Sequence, residues 1–107
     1  MRGLYGMKPR RDIHNLSEIP NVGPATIRCL DLVGIKTPFE LIGQDPLSLY
    51  ADLCSVTGKR FDPCLADVFI SAVKFMEGAP ARDWWYYTDQ RKRALQKATE
   101  TDVEGAG

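Results

Sequence analysis

The feature that most constrains this chain is Ile19-Pro20-Asn21-Val22-Gly23-Pro24. The stretch Leu16 to Ile35 around it reads as the end of one helix, a tight turn, and a second helix opened by Pro24. Gly23 has no Cβ, so it can take positive φ and let another backbone or a ligand come close. Asn21 is the non-glycine residue best suited to a left-handed conformation. Pro24 has no N–H to lose at the first helical position, and its fixed φ suits it there. Val22 can point inward as a peg. Ile27, Leu30 and Val33 then follow at helical spacing with Cys29 beside them, and Gly34 is a C-cap.

Such a turn has a chemical consequence. The first N–H groups of the second helix lack intrahelical partners and carry the positive end of its dipole. Thr26 can add a hydroxyl. A phosphate is the natural acceptor for that cluster.

At 107 residues the chain predicts one small domain with a tail. Its apolar fraction of 44% suffices for a core and is too low for a membrane protein. No run approaches the roughly 18 apolar residues of a bilayer span. MRGLYGMKPRR is charged without an apolar core, unlike a secretory signal. Three cysteines, Cys29, Cys54 and Cys64, with no such signal predict a reducing cytoplasm and no disulfide framework. Net charge is zero, but residues 1–36 hold six Lys/Arg against three Asp/Glu, so the turn end is mildly basic. A protein making few phosphate contacts binds DNA weakly and with shallow salt dependence.

Taken in order, residues 1–11 read as a flexible basic arm carrying Arg2, Lys8, Arg10 and Arg11. Asp12 is placed to N-cap a short helix through Ser17, with Ile13 and Leu16 inward. His14 has no metal-ligand spacing around it. Thr37-Pro38 starts a short helix bearing Phe39, Leu41 and Ile42, which Gly43 stops. Asp45-Pro46 starts a longer one with a stripe of Leu47, Tyr50, Leu53 and Cys54, ended by Gly58. Asp62-Pro63 opens another, buried along Leu65, Val68, Phe69, Ala72, Val73 and Met76. The loop Thr57-Gly58-Lys59-Arg60 is either solvated or a degenerate second hairpin, with Lys59 and Arg60 as phosphate contacts.

Arg82 to Tyr87, RDWWYY, concentrates aromatics in a chain only 9% aromatic. Its rings either clamp the C-terminal segment onto the bundle or offer a base-stacking platform beside Arg82 or Arg91. Thr88-Asp89 caps a charged helix, Gln90 to Ala98, whose Arg91, Lys92, Arg93 and Lys97 read as a solvated face. The acidic end, Glu100 to Gly107, reads as frayed. The organisation is thus an arm over 1–11, a helical domain over 12–87, and a charged helix with a tail over 88–107.

No nucleophile–base set, P-loop or zinc-protease motif is present, so the chain reads as a non-enzyme without a small-molecule substrate. Zinc is not expected, since there is no C-x-x-C and a single His. Cys54 and Cys64 are either buried thiols or a thiol-based sensor.

The residues IPNVGPAT resemble the helix-hairpin-helix motif, a hydrophobic residue, Pro, Gly, a hydrophobic residue and Gly before a helix, with Asn21 where that family most often has Gly. The resemblance implies DNA binding through hairpin N–H groups on phosphates, without sequence reading, and a monovalent cation on the hairpin carbonyls in some members. More broadly, LVGIKTPFELIGQDPLSLYADLC, TGKRFDPCLADVFISAVKF and the Trp pair resemble the pathogenicity-locus family, often labelled mitomycin resistance proteins. That likeness covers about Leu16 to Trp85 and implies a cytoplasmic all-α domain with a DNA-related role, in DNA repair or mitomycin resistance.

The combined expectation is an all-α, SAM-domain-like bundle of about five short helices around one helix-hairpin-helix. It binds DNA weakly and without sequence specificity. Gly23, Ala25 and Thr26 supply N–H groups, Pro20, Asn21, Val22 and Pro24 shape the turn, and Arg28, Lys59 and Arg60 add charge. The rivals are a protein-interaction module with a protein partner, and the thiol sensor.

Overall fold

Proline and short polar residues start nearly every helix of this chain, and glycine stops most of them. The computed structural model describes residues 8–94 and is all-α. Helices α1 (Pro24–Leu32), α2 (Pro46–Thr57) and α3 (Cys64–Met76) are followed by α4, described over 88–94. Single 3-10 turns occupy Leu16–Glu18, Pro38–Leu41 and Trp84–Tyr87. No strand occurs among the described residues.

The starts are local chemistry. Pro24 stands at N1 of α1 behind Gly23. Glu40 Oε1 accepts the Lys36 and Thr37 N–H groups at 2.6 and 2.9 Å, closing a capping box over the second 3-10 turn. Asp45 accepts the Leu47 N–H at 3.0 Å above α2, and Asp62 the Cys64 N–H at 2.8 Å above α3. Gly58 ends α2 at φ 68°, its N–H on the Cys54 carbonyl at 2.9 Å.

Helix α3 is the axis of the fold. Ala66, Asp67, Phe69, Ile70, Ser71, Ala72, Val73 and Met76 are all buried, more than one stripe of the helix. A helix buried this widely has neighbours on several sides, here α2 and the second and third 3-10 turns. Leu16, Ile19, Val22, Leu30, Leu41 and Leu53 join Phe69, Ala72 and Met76 in one core.

Three expectations are corrected. The element before the turn is not a helix from Asp12 but one 3-10 turn capped by Asn15, whose N–H bonds Glu18 Oε1 at 3.0 Å. It stops there because Ile19, preceding Pro20, is extended at φ −81°, ψ 131°. In α2 the buried pair is Leu49 and Leu53, four residues apart, while Leu47 and Cys54 are only half-buried. Arg10 is docked rather than free. Its N–H reaches the Met76 carbonyl at 2.8 Å, and its guanidinium bonds the Phe75 and Ala79 carbonyls at 2.8 and 2.9 Å. The same guanidinium lies 4.0 Å from the Phe75 ring centroid. A cation on the last carbonyls of α3 is well placed against the helix dipole. Residues 1–7 of the expected arm, and Lys97, Ala98 and Glu100 to Gly107, lie outside the described residues.

Candidate nucleic-acid interface

The turn is built from two anchored apolar residues and one left-handed residue. Ile19 and Val22 are buried, and the Val22 N–H closes onto the Ile19 carbonyl at 3.2 Å. Between them Asn21 takes φ 71°, the only positive φ outside glycine among the described residues. Gly23 does not take positive φ as anticipated. It is extended at φ −105°, ψ −175°, and acts as the N-cap of α1. The left-handed step had already been made at Asn21.

Gly23 leaves the helix start open. A Cβ built there would meet nothing within 4 Å. The first helical bond runs from the Ile27 N–H to the Gly23 carbonyl at 3.0 Å. The N–H groups of Gly23, Ala25 and Thr26 have no acceptor among the described residues, and Gly23 has no side chain to cap them. Pro24, Ala25 and Arg28 are exposed, Pro20 and Thr26 half-buried. Arg28 makes no ion pair among the described residues.

The Asn21 side chain is committed elsewhere. Its Nδ2 donates to Ser71 Oγ at 3.1 Å and to the Arg82 carbonyl at 2.7 Å. Both amide hydrogens are therefore spent on protein acceptors. One residue pins the turn to α3 and to the segment before the aromatic 3-10 turn. Pro20 and Asn21 line a cleft with Ala81, Arg82 and Asp83.

In that aromatic turn Tyr87 is buried and Trp84 half-buried, while Trp85 and Tyr86 are 60% and 58% exposed. Trp84 and Trp85 meet edge to face at 5.5 Å. The Arg82 guanidinium lies 4.1 Å from the Tyr86 ring centroid. Arg91 is not on a solvated face. It is buried against Asp67, a residue of α3 that sequence reasoning passed over.

The family model for the pathogenicity locus proteins, Cdd1, matches residues 9–93. This chain belongs to that family. The mitomycin resistance protein McrB of Streptomyces lavendulae is similar to it, 43% identical over 84 residues, which span 78% of this chain and 80% of that protein. No solved structure matches it. The Cdd1 match takes in the turn, the Asn21 clamp and the aromatic segment together.

The remaining predicted residues of the Cdd1 domain fall apart from the turn. Lys59 and Arg60 are exposed in the α2–α3 loop, beside a groove lined by Leu47, Tyr50, Cys54 and Pro63. The structure does not bring them into the cleft that Pro20 and Asn21 share with Arg82. The cysteines are free thiols. A hydrogen bond with Asp62, then burial, pushes the Cys64 thiol up. Burial does the same to Cys29, against the opposing charge of Arg28. Both shifts run against the thiolate that a reactive cysteine needs. Among the described residues no three His, Cys, Asp or Glu side chains gather as a metal site would require. No helix among them is long and apolar enough to cross a membrane.

Nothing in the sequence pairs Asn21 with its acceptors, Ser71 and the Arg82 carbonyl, which lie 50 and 61 residues away.

Proposed function

We propose that this Cdd1 protein binds DNA without reading its sequence, holding a backbone phosphate on the N–H groups of Gly23, Ala25 and Thr26. The turn then serves as a helix-hairpin-helix element whose first helix is reduced to one 3-10 turn, in a SAM-like bundle, a binding protein rather than a catalyst. The observation that carries this reading is the open start of α1, three N–H groups without acceptors at the positive end of a helix. Arg28, one turn further along α1, adds charge. The relative named for mitomycin resistance supports placing that binding in resistance; a DNA-repair role is part of the proposal.

Fluorescence anisotropy with labelled DNA at two salt concentrations, comparing wild type with Gly23→Asp, tests it. Asp is a good N-cap, and nothing crowds a side chain there, so the variant keeps its fold. Its carboxylate satisfies the amides internally and repels phosphate. Salt-sensitive binding that disappears in Gly23→Asp is expected. With two or three phosphates neutralised, log K falls against log salt with a slope of about −2 to −3. Equal binding by the variant, or none at low salt, removes the turn as a phosphate site.

The exposed Trp85 and Tyr86 favour a second reading, a protein-interaction module. That reading expects self-association or a bound partner protein unaffected by Gly23→Asp.

A further inference from the structure

We infer that Arg82, Trp85 and Tyr86 form a stacking platform for unpaired bases, continuous with the turn, so that the DNA held there is single-stranded or locally opened. This rests on the reading of the turn as a phosphate site.

Two observations of the aromatic turn carry it. Trp85 and Tyr86 are adjacent large rings, each more than half exposed. Tyr87 and Trp84 already anchor this segment, so the outer two rings are not needed to clamp it. Flat exposed rings of this kind accept the face of any base.

Arg82 joins the rings to the turn. Its guanidinium covers the Tyr86 ring and makes no ion pair among the described residues. Its carbonyl holds the Asn21 amide at 2.7 Å. Ala81, Arg82 and Asp83 line one cleft with Pro20 and Asn21, and a second with Trp85 and Tyr86. The two clefts therefore adjoin along three shared residues.

Charge sorts the parts of a nucleotide between them. The amide cluster of the turn takes an anion, and the exposed rings of Trp85 and Tyr86 take the flat, neutral base. In a duplex the base faces are already stacked on each other, so only a free strand offers phosphate and base together.

The test uses the full chain with a labelled oligothymidine and a duplex of equal length, at low salt. Trp85→Ala is expected to weaken the single strand about tenfold, the loss of one stacked base, and to leave the duplex within about twofold. Trp85→Phe restores most of the difference. Circular dichroism confirms the fold, and Arg82→Ala replaces Trp85→Ala should that variant unfold. If Trp85→Ala changes both DNA forms equally or neither, the platform is discarded, while loss of binding in Gly23→Asp still upholds the turn. If Gly23→Asp binds normally and Trp85→Ala does not, the turn reading fails and the rings remain. Loss of a dimer by sedimentation in Trp85→Ala, with DNA binding unchanged, assigns the rings to a protein contact and overturns the inference. No binding of the single strand by wild type ends both readings.

Discussion

Arg91 donates from Nε to Asp67 Oδ1 at 2.9 Å, and Asp67 has no exposed surface at all. The other carboxylate oxygen accepts the Thr88 hydroxyl at 2.7 Å. One buried acid on α3 thus fastens the start of α4 at two points. That arrangement sets the position of the aromatic turn that precedes it.

Breaking the pair from either side leaves a charge stranded in the interior. Asp67→Ala or Arg91→Ala is expected to cost about 3–5 kcal/mol in urea denaturation. Asp67→Leu with Arg91→Met is expected to cost less than either, because packed apolar groups need no partner. A double variant as unstable as the sum of the two singles would show that the pair is not coupled.

Asn21 does two jobs that substitution can separate. Gly at 21 keeps the left-handed backbone and loses two hydrogen bonds, at about 0.5–1.5 kcal/mol each. Ala at 21 loses the same bonds and adds about 1 kcal/mol of left-handed strain. The Ala variant should therefore unfold at lower urea than the Gly variant. Coincident midpoints would mean that the turn relaxes to another conformation.

Gly78 and Gly23 should respond oppositely to alanine. At Gly78, with φ 111°, a Cβ would stand 2.5 Å from the Lys8 carbonyl oxygen and 2.7 Å from its nitrogen. Backbone cannot swing aside as a side chain does, so Gly78→Ala is expected to cost more than about 2 kcal/mol and to loosen the Arg10 dock. Gly23→Ala meets open space at an extended φ and should cost less than about 1 kcal/mol. Thermal melts of the two variants, read side by side, check the contrast.

Three capping carboxylates contribute to stability in a pH-dependent way. The Asn15 and His14 amides hold Glu18 below its ordinary value, the Lys36 and Thr37 amides hold Glu40 there, and the Cys64 amide does so for Asp62. A depressed carboxylate contributes fully above its unfolded value near about 4 and loses that contribution as pH falls through the lower folded value. Stability from these caps should be flat from neutral pH to about 5 and fall below about 4. Glu40→Gln should lower stability at neutral pH and soften the acid slope. A urea series across pH would contradict this if the decline were already complete near pH 5.

What was legible in the chain was local. Pro24, Thr37-Pro38, Asp45-Pro46 and Asp62-Pro63 mark helix starts because a cap or a fixed φ acts within three residues of itself. Gly34, Gly43 and Gly58 mark stops, each at positive φ, for the same reason. Asn21 is likewise recognisable as the left-handed residue of the turn, whereas Gly23, equally able to take that conformation, is extended. Even the short first element has a local cause in the Asn15–Glu18 box ahead of an extended Ile19.

The sequence by itself therefore determined an all-α chain, the place of its turn, and an open helix start after Gly23. Only the tertiary structure decided which polar residues are working parts. Arg91 looks like its neighbours Lys92 and Arg93 until Asp67, 24 residues earlier, is brought beneath it. Arg10 reads as one of a basic run until the end of α3 arrives 65 residues later. Asn21 finds Ser71 and Arg82 only once the turn is seated on α3. The physical reason is common to all three. A helix cap is satisfied within its own turn of chain, whereas a buried charge or amide is satisfied by whatever packing brings near, and no spacing in the sequence encodes that distance.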